Sequence, residues 1–95
     1  MEGVNGMIVR KKPITVNAWK LNHMAMQMIP EWVLKAIADK DLFYDQNTEY
    51  WGCNTLEGQM MAHDGDYLML GIKDELYFCA ADVFNDTYDI IKEDI

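Results

Sequence analysis

The apolar positions change rhythm along this chain. From Lys12 the stretch KPITVNAWKL alternates, with Ile14, Val16 and Ala18 on one side and Thr15, Asn17 and Trp19 on the other. A period of two is that of a half-buried strand, and Pro13 stands at its entrance, where a missing N–H costs least. The residues before it show no period, so a frayed start over 1–8 is expected. After a loose NHMAMQM the rhythm becomes helical. Ile29, Val33, Leu34 and Ile37 form an apolar stripe opposite Lys35, Asp39 and Lys40, which predicts a helix over about 30–39 with Trp32 at the core edge. Pro30 at the first helical position and Glu31 beside it suit a helix start.

Beyond a DQNT turn at 45–48 the pattern is that of strands. TEYWGCNTL is rich in β-formers, with Gly52 as an expected bulge. Glu57-Gly58 turns the chain into QMMAH, and Asp64-Gly65 is the strongest short-range hairpin cue. DYLMLGI and ELYFC are joined over GIKDE; AADVFND is a short helical turn with Val83 and Phe84 inward; TYDIIKEDI is a closing strand. The expectation is an α+β fold in a single domain over 1–95: a small, mostly antiparallel sheet of about 5–6 strands with the one helix packed on it.

Composition narrows the class. A chain of 95 residues that is 51% hydrophobic and 12% aromatic supports one modest core. No run approaches the ~18 apolar residues of a membrane span. MEGVNGMIVRKKP lacks the apolar stretch of a secretory signal, so a cytoplasmic protein without a membrane partner is expected. Cys53 and Cys79 then read as reduced thiols.

Charge is distributed unevenly. Residues 1–47 carry six basic and five acidic side chains, whereas 48–95 carry eleven acidic and two basic ones. A half-chain at −9 repels phosphate, which argues against direct nucleic-acid binding.

Several constellations are candidates for chemistry. Asp64 and Asp66 flank a turn glycine beside His63, and with Cys79 they are the residues a small metal-dependent enzyme would use. Turn chemistry is the simpler reading of that pair, and neither metal nor cofactor is called for. His23 has no visible partner. Met24, Met26, Met28, Met60, Met61 and Met69 suit core filling or, alternatively, a recognition or self-association surface, which leaves a homo-oligomer open. The best candidate is the acidic stripe formed by Asp74, Glu75, Asp82, Asp86, Asp89, Glu93 and Asp94 among Tyr67, Tyr77, Tyr88, Phe78 and Phe84. Carboxylates around tyrosines compose a surface able to meet a basic groove on another protein. The protein-binding site expected from this pattern is Asp74, Glu75, Tyr77, Asp82, Asp86, Tyr88 and Asp89. Solvating charge on a sheet's outer face is the other reading.

RKKPITVNAWKL at 10–21, Thr55-Leu56-Glu57-Gly58, Gly65-Asp66-Tyr67, Glu75-Leu76-Tyr77-Phe78-Cys79, Asp82-Val83-Phe84 and Thr87-Tyr88 together resemble a set of small phage and prophage proteins. Those proteins begin with Lys-Lys-Pro and an alternating strand, and carry a Pro-Gly-Asp-Tyr turn where Asp64 stands here in place of proline. The resemblance implies a scaffold and a phage-derived accessory role in a bacterial cytoplasm. The expected function is a non-enzymatic inhibitor of a host protein with a basic groove, counter-defence in type, such as an anti-CRISPR. The alternatives are a sponge for a small signalling nucleotide, using Arg10, Lys11, Lys12 and aromatics, and the metal-dependent enzyme.

Overall fold

The computed structural model describes residues 6–25 and 28–93. In chain order the elements are β1 (Asn17–Lys20), α1 (Glu31–Ala38), β2 (Leu42–Asp45), β3 (Tyr50–Thr55), β4 (Gly58–Ala62), β5 (Tyr67–Leu70), β6 (Leu76–Cys79) and α2 (Ala81–Thr87). They form two three-stranded antiparallel sheets, β1-β5-β6 and β2-β3-β4. The fold is α+β as expected, but a single sheet with one helix gives way to two sheets and two helices. The physical reason lies at Asp64-Gly65. Gly65 takes the left-handed φ of +96° that its turn requires. That turn does not fold β4 against β5, but carries the chain from one sheet to the other.

Other local expectations shift with it. The frayed start falls on 1–5 outside the described residues, while 6–8 are exposed and without regular structure. Pro30 caps α1 instead of opening it, its carbonyl accepting the N–H groups of Val33 and Leu34 at 3.0 Å each. The helix ends in a Schellman motif: Lys40 donates to Ile37 O and Asp41 to Ala36 O, with Lys40 at φ 65° in the position glycine usually takes. The reversal feeds directly into β2, a strand absent from the expected order. Gly52 is no bulge, since it pairs in register with Phe43 and Met61. A Cβ there would collide with the Phe43 ring, which lies across the bare backbone. The expected closing strand does not form among the described residues: 88–93 have no regular structure, 94 and 95 lie outside the described residues, and the turn before them is a full helix that includes Thr87.

The main core lies between the sheets and under α1, built from Leu21, Val33, Ala36, Leu42, Trp51, Cys53, Ala62, Leu68 and Phe78. The buried face of α1 runs Trp32, Val33 and Ala36, with Ile29 packing on the core ahead of the helix, whereas Leu34 and Ile37 are 48% and 40% exposed. β1 also shows its other side. Trp19, opposite Leu68, packs on the core and Leu21 is buried, while Ala18 and Ile14 stay exposed. An indole removes far more apolar surface from water than an alanine methyl, so Trp19 sets which face turns inward.

The β1-β5-β6 sheet is covered on both faces. Leu68 and Phe78 fill the main core; Met69, next along β5, is fully buried outside that cluster. Phe84 of α2 stacks on Tyr67 at 3.7 Å between centroids and on Tyr88 at 5.3 Å. This aromatic stack fastens α2 to the sheet's outer face.

Truncation on α1 tests the assigned face. Val33→Ala is expected to lower unfolding stability by about 2 kcal/mol, since it removes two fully buried carbons. Leu34→Ala is expected to change it by no more than about 0.5 kcal/mol. Urea denaturation of both variants measures the difference.

Candidate functional site

The acidic stripe is divided by the fold. Asp74 stands at the tip of the β5–β6 turn at φ 63° and lines a hollow with Asp41, Asn54, Thr55, Leu56, Glu75 and Leu76. Glu75 turns back on that turn: its carboxylate accepts the Lys73 N–H at 2.9 Å and fills the space where Gly71 has no side chain. Asp82 and Asp86 lie four residues apart on α2 and Asp89 follows the helix, all three exposed. Glu93 is exposed as well, and Asp94 lies outside the described residues. The concentrated part of the stripe is therefore Asp82, Asp86 and Asp89.

Glu75, Tyr77 and Tyr88 meet at a groove of about 330 Å³ whose other walls include Lys11, Lys12, Ile14 and Ile72. Lys11 Nζ stands 5.7 Å from the centre of the Tyr88 ring, within cation–π range. Burial, followed by the neighbouring Tyr88 hydroxyl, pushes Tyr77 up to about 12, so it remains a neutral hydrogen-bond donor. The amino-terminal lysines thus border three residues of the expected acidic surface. Arg10 is not among the lining residues.

A second constellation lies at the other end of β1. Asp64 Oδ1 accepts both the His23 backbone N–H at 3.0 Å and the Trp51 indole N–H at 2.8 Å, while Oδ2 meets His23 Nδ1. The His23 ring stacks flat on Tyr44 at 4.4 Å and 5°, Tyr44 leans on Trp51, and Trp51 meets Trp19 edge-on at 5.8 Å. Burial alone would raise the Asp64 carboxyl, but the hydrogen bonds from Trp51 and His23 together hold it below its ordinary value near 3.8. Burial raises Tyr44, assisted by Asp64, Glu49 and Asp45. The pairing was hidden by 41 residues of separation. It becomes legible once β1 is laid on β5: Lys20 faces Tyr67, and three further steps bring His23 opposite Asp64.

The residues suited to metal chemistry part company. Asp64 turns to His23 and Trp51, while His63 faces Asp66 across 3.5 Å. Asp66 accepts the N–H groups of His63 and Ala81, at 3.1 and 3.0 Å. Cys79 Sγ lies 3.7 Å from the Ala80 carbonyl, its thiol raised by burial, then by Asp66 and Asp82. Among the described residues no group of three His, Cys, Asp or Glu side chains is arranged to hold a metal ion. Of the methionine run, Met24 and Met28 are exposed and Met26 lies outside the described residues. Among the described residues no helix is long and apolar enough to cross a membrane. Comparison with known protein families, curated proteins and solved structures finds no match to this chain.

The Asp64 hub predicts an acid-side signature. A carboxylate whose folded pKa is depressed contributes stability above its ordinary unfolded value and loses it as pH falls through the folded one. Asp64→Asn is expected to lower stability at pH 7 and to flatten the decline below about pH 4. Urea unfolding midpoints of both proteins between pH 7 and pH 3 measure that slope.

Proposed function

We propose that this is a non-enzymatic binding protein whose acidic carboxyl-terminal surface docks on a cationic groove of a bacterial host protein. In biological terms it is a phage- or prophage-derived inhibitor of the counter-defence class, as an anti-CRISPR that imitates nucleic-acid charge would be. The observation that carries this reading is the charge arrangement on α2. Asp82 and Asp86 repel one another across one turn. Asp86 stands in the last turn, where the helix dipole disfavours an anion, and no basic residue accompanies it. Val83 beside Asp82 is exposed, and Asp89 after the helix is exposed as well. Asp82 suits the first turn, where its carboxylate accepts the Val83 N–H, whereas Asp86 is a charge that the free helix would avoid and that becomes favourable against a cationic partner. The likeness of the turn and strand motifs to small phage proteins supports a bacterial cytoplasmic setting. Asp82, Asp86 and Asp89 are the contacts this reading favours, with Tyr88 behind them and Asp74, Glu75 and Tyr77 at the margin.

The groove favours a second reading, a sponge for a small signalling nucleotide. Lys11 and Lys12 would take its phosphate, while Tyr77, Tyr88 and the aliphatic wall would take its base. Glu75 opposes an anion there, which ranks this reading second.

The two readings separate experimentally. Capture of host proteins from bacterial lysate is expected to yield a partner that is held at low salt and released at high salt. Asp82→Lys with Asp86→Lys is expected to slow association at least about tenfold. A partner held equally at both salts, or indifferent to the charge reversal, refutes the acidic docking surface. For the sponge, a nucleotide supplied at 100 times its Kd is expected to raise stability by about 2.7 kcal/mol, read as a thermal shift across a nucleotide panel.

A further inference from the structure

The outer edge of β4 carries features that the acidic surface does not use. Asn54 donates its N–H to Asp41 O at 2.9 Å, on the β2 side of β3. Backbone groups alternate along a strand, so Cys53 and Thr55 address β4, through Met60 and Gly58 in the register. The N–H and C=O groups of Gln59 and Met61 therefore point away from β3. Gln59, Met60 and Met61 are all exposed, Met61 by 59%. Residues 58–62 contain neither a charge nor a proline, two devices by which edge strands discourage pairing.

We propose that β4 pairs antiparallel with β4 of a second copy of this chain, joining the two β2-β3-β4 sheets into one of six strands across a twofold axis at Met60. In that register Gln59 of each copy faces Met61 of the other, so the outward N–H and C=O groups meet as two hydrogen-bonded pairs. Met60 faces Met60 as the non-hydrogen-bonded pair, where side chains approach most closely and a flexible thioether packs readily. Just past the strand ends, Glu57 in the β3–β4 turn of each copy comes to the end where His63 of the other stands, acid near imidazole. Both are exposed, the His63 side chain by 65%. Centring the pair on Met61 would set His63 against Gln59, and centring it on Gln59 would set Glu57 against Met61. Only the Met60 register uses the whole strand and brings acid near imidazole.

The size and charge of the contact fix its strength. Five paired residues fall short of the roughly 1,200–2,000 Å² of a stable interface, so the dimer is weak. A net charge of −8 on each copy opposes association, so added salt strengthens it. That is the reverse of the salt response of the acidic docking surface, and the failure of one is distinguishable from the failure of the other.

Sedimentation velocity from about 10 µM to about 1 mM protein, at low and high salt, reads the association. The expected result is a monomer–dimer equilibrium that shifts toward dimer with concentration and salt. Amide exchange by NMR should slow at Gln59 and Met61 as the dimer forms, with Met60 unchanged. Gln59→Pro deletes an outward backbone donor, together with the side-chain bond from Gln59 to Asn54, and is expected to abolish the dimer; Met61→Lys, which adds a like charge to both edges, is expected to weaken it at least tenfold. Monomer at every concentration and salt overturns the proposal. So does a dimer whose protection falls elsewhere, one indifferent to both substitutions, or an edge protected only by an added foreign peptide strand.

Discussion

Between Ala62 and Tyr67 the chain leaves one sheet and enters the other, and the arrangement of both depends on that crossing being held. The turn is wrapped in hydrogen bonds. Leu21 donates to Asp66 O at 2.8 Å and accepts from Gly65 N–H at 2.9 Å. The Asp64 carboxylate holds His23 and Trp51, and the Asp66 carboxylate holds His63 and the first N–H of α2. Two short acids thus tie the end of β1, the core tryptophan of β3, the end of β4 and the start of α2 to four residues of chain. Each replaces water around backbone donors that would otherwise be left without partners as the sheets close. The Asp-x-Asp pattern is therefore structural in its local chemistry, and the sites on either side inherit their positions from it.

Legibility in the sequence follows the range of the interactions. α1, β3, β4, β5, β6 and the turns at 57–58 and 71–75 were readable because period and turn chemistry act over a few residues. β2 was not: Lys40 stands where a glycine would have marked the helix end, and Leu42–Asp45 is a strand because that Schellman reversal delivers it to β3. The closing strand failed because Phe84 binds Tyr67 and Tyr88 in one stack, a tertiary contact that stops the chain from continuing into a ladder. The inward face of β1 failed for a similar reason, since alternation supplies two faces but only packing against Leu68 chooses Trp19.

For the functional surface, composition located the carboxylates without arranging them. Glu75 is occupied by its own turn and stands between two hollows, of which Asp74 lines one and Tyr77 and Tyr88 the other. Tyr77 and Tyr88 share their groove with lysines from the far end of the chain. The His23–Asp64 pair was invisible to composition because strand pairing alone brings its members together.

The burial of Cys53 sets the terms on which this molecule meets oxidants. Its thiol is fully enclosed and pushed up to about 11, first by burial and then by Asp41. The thiolate is the reactive form. In the closed fold Cys53 is therefore shielded from alkylating reagents and peroxides, and it reacts only from states in which the two sheets have parted. The molecule carries an internal clock for its own opening, one that ticks only while the core is breached.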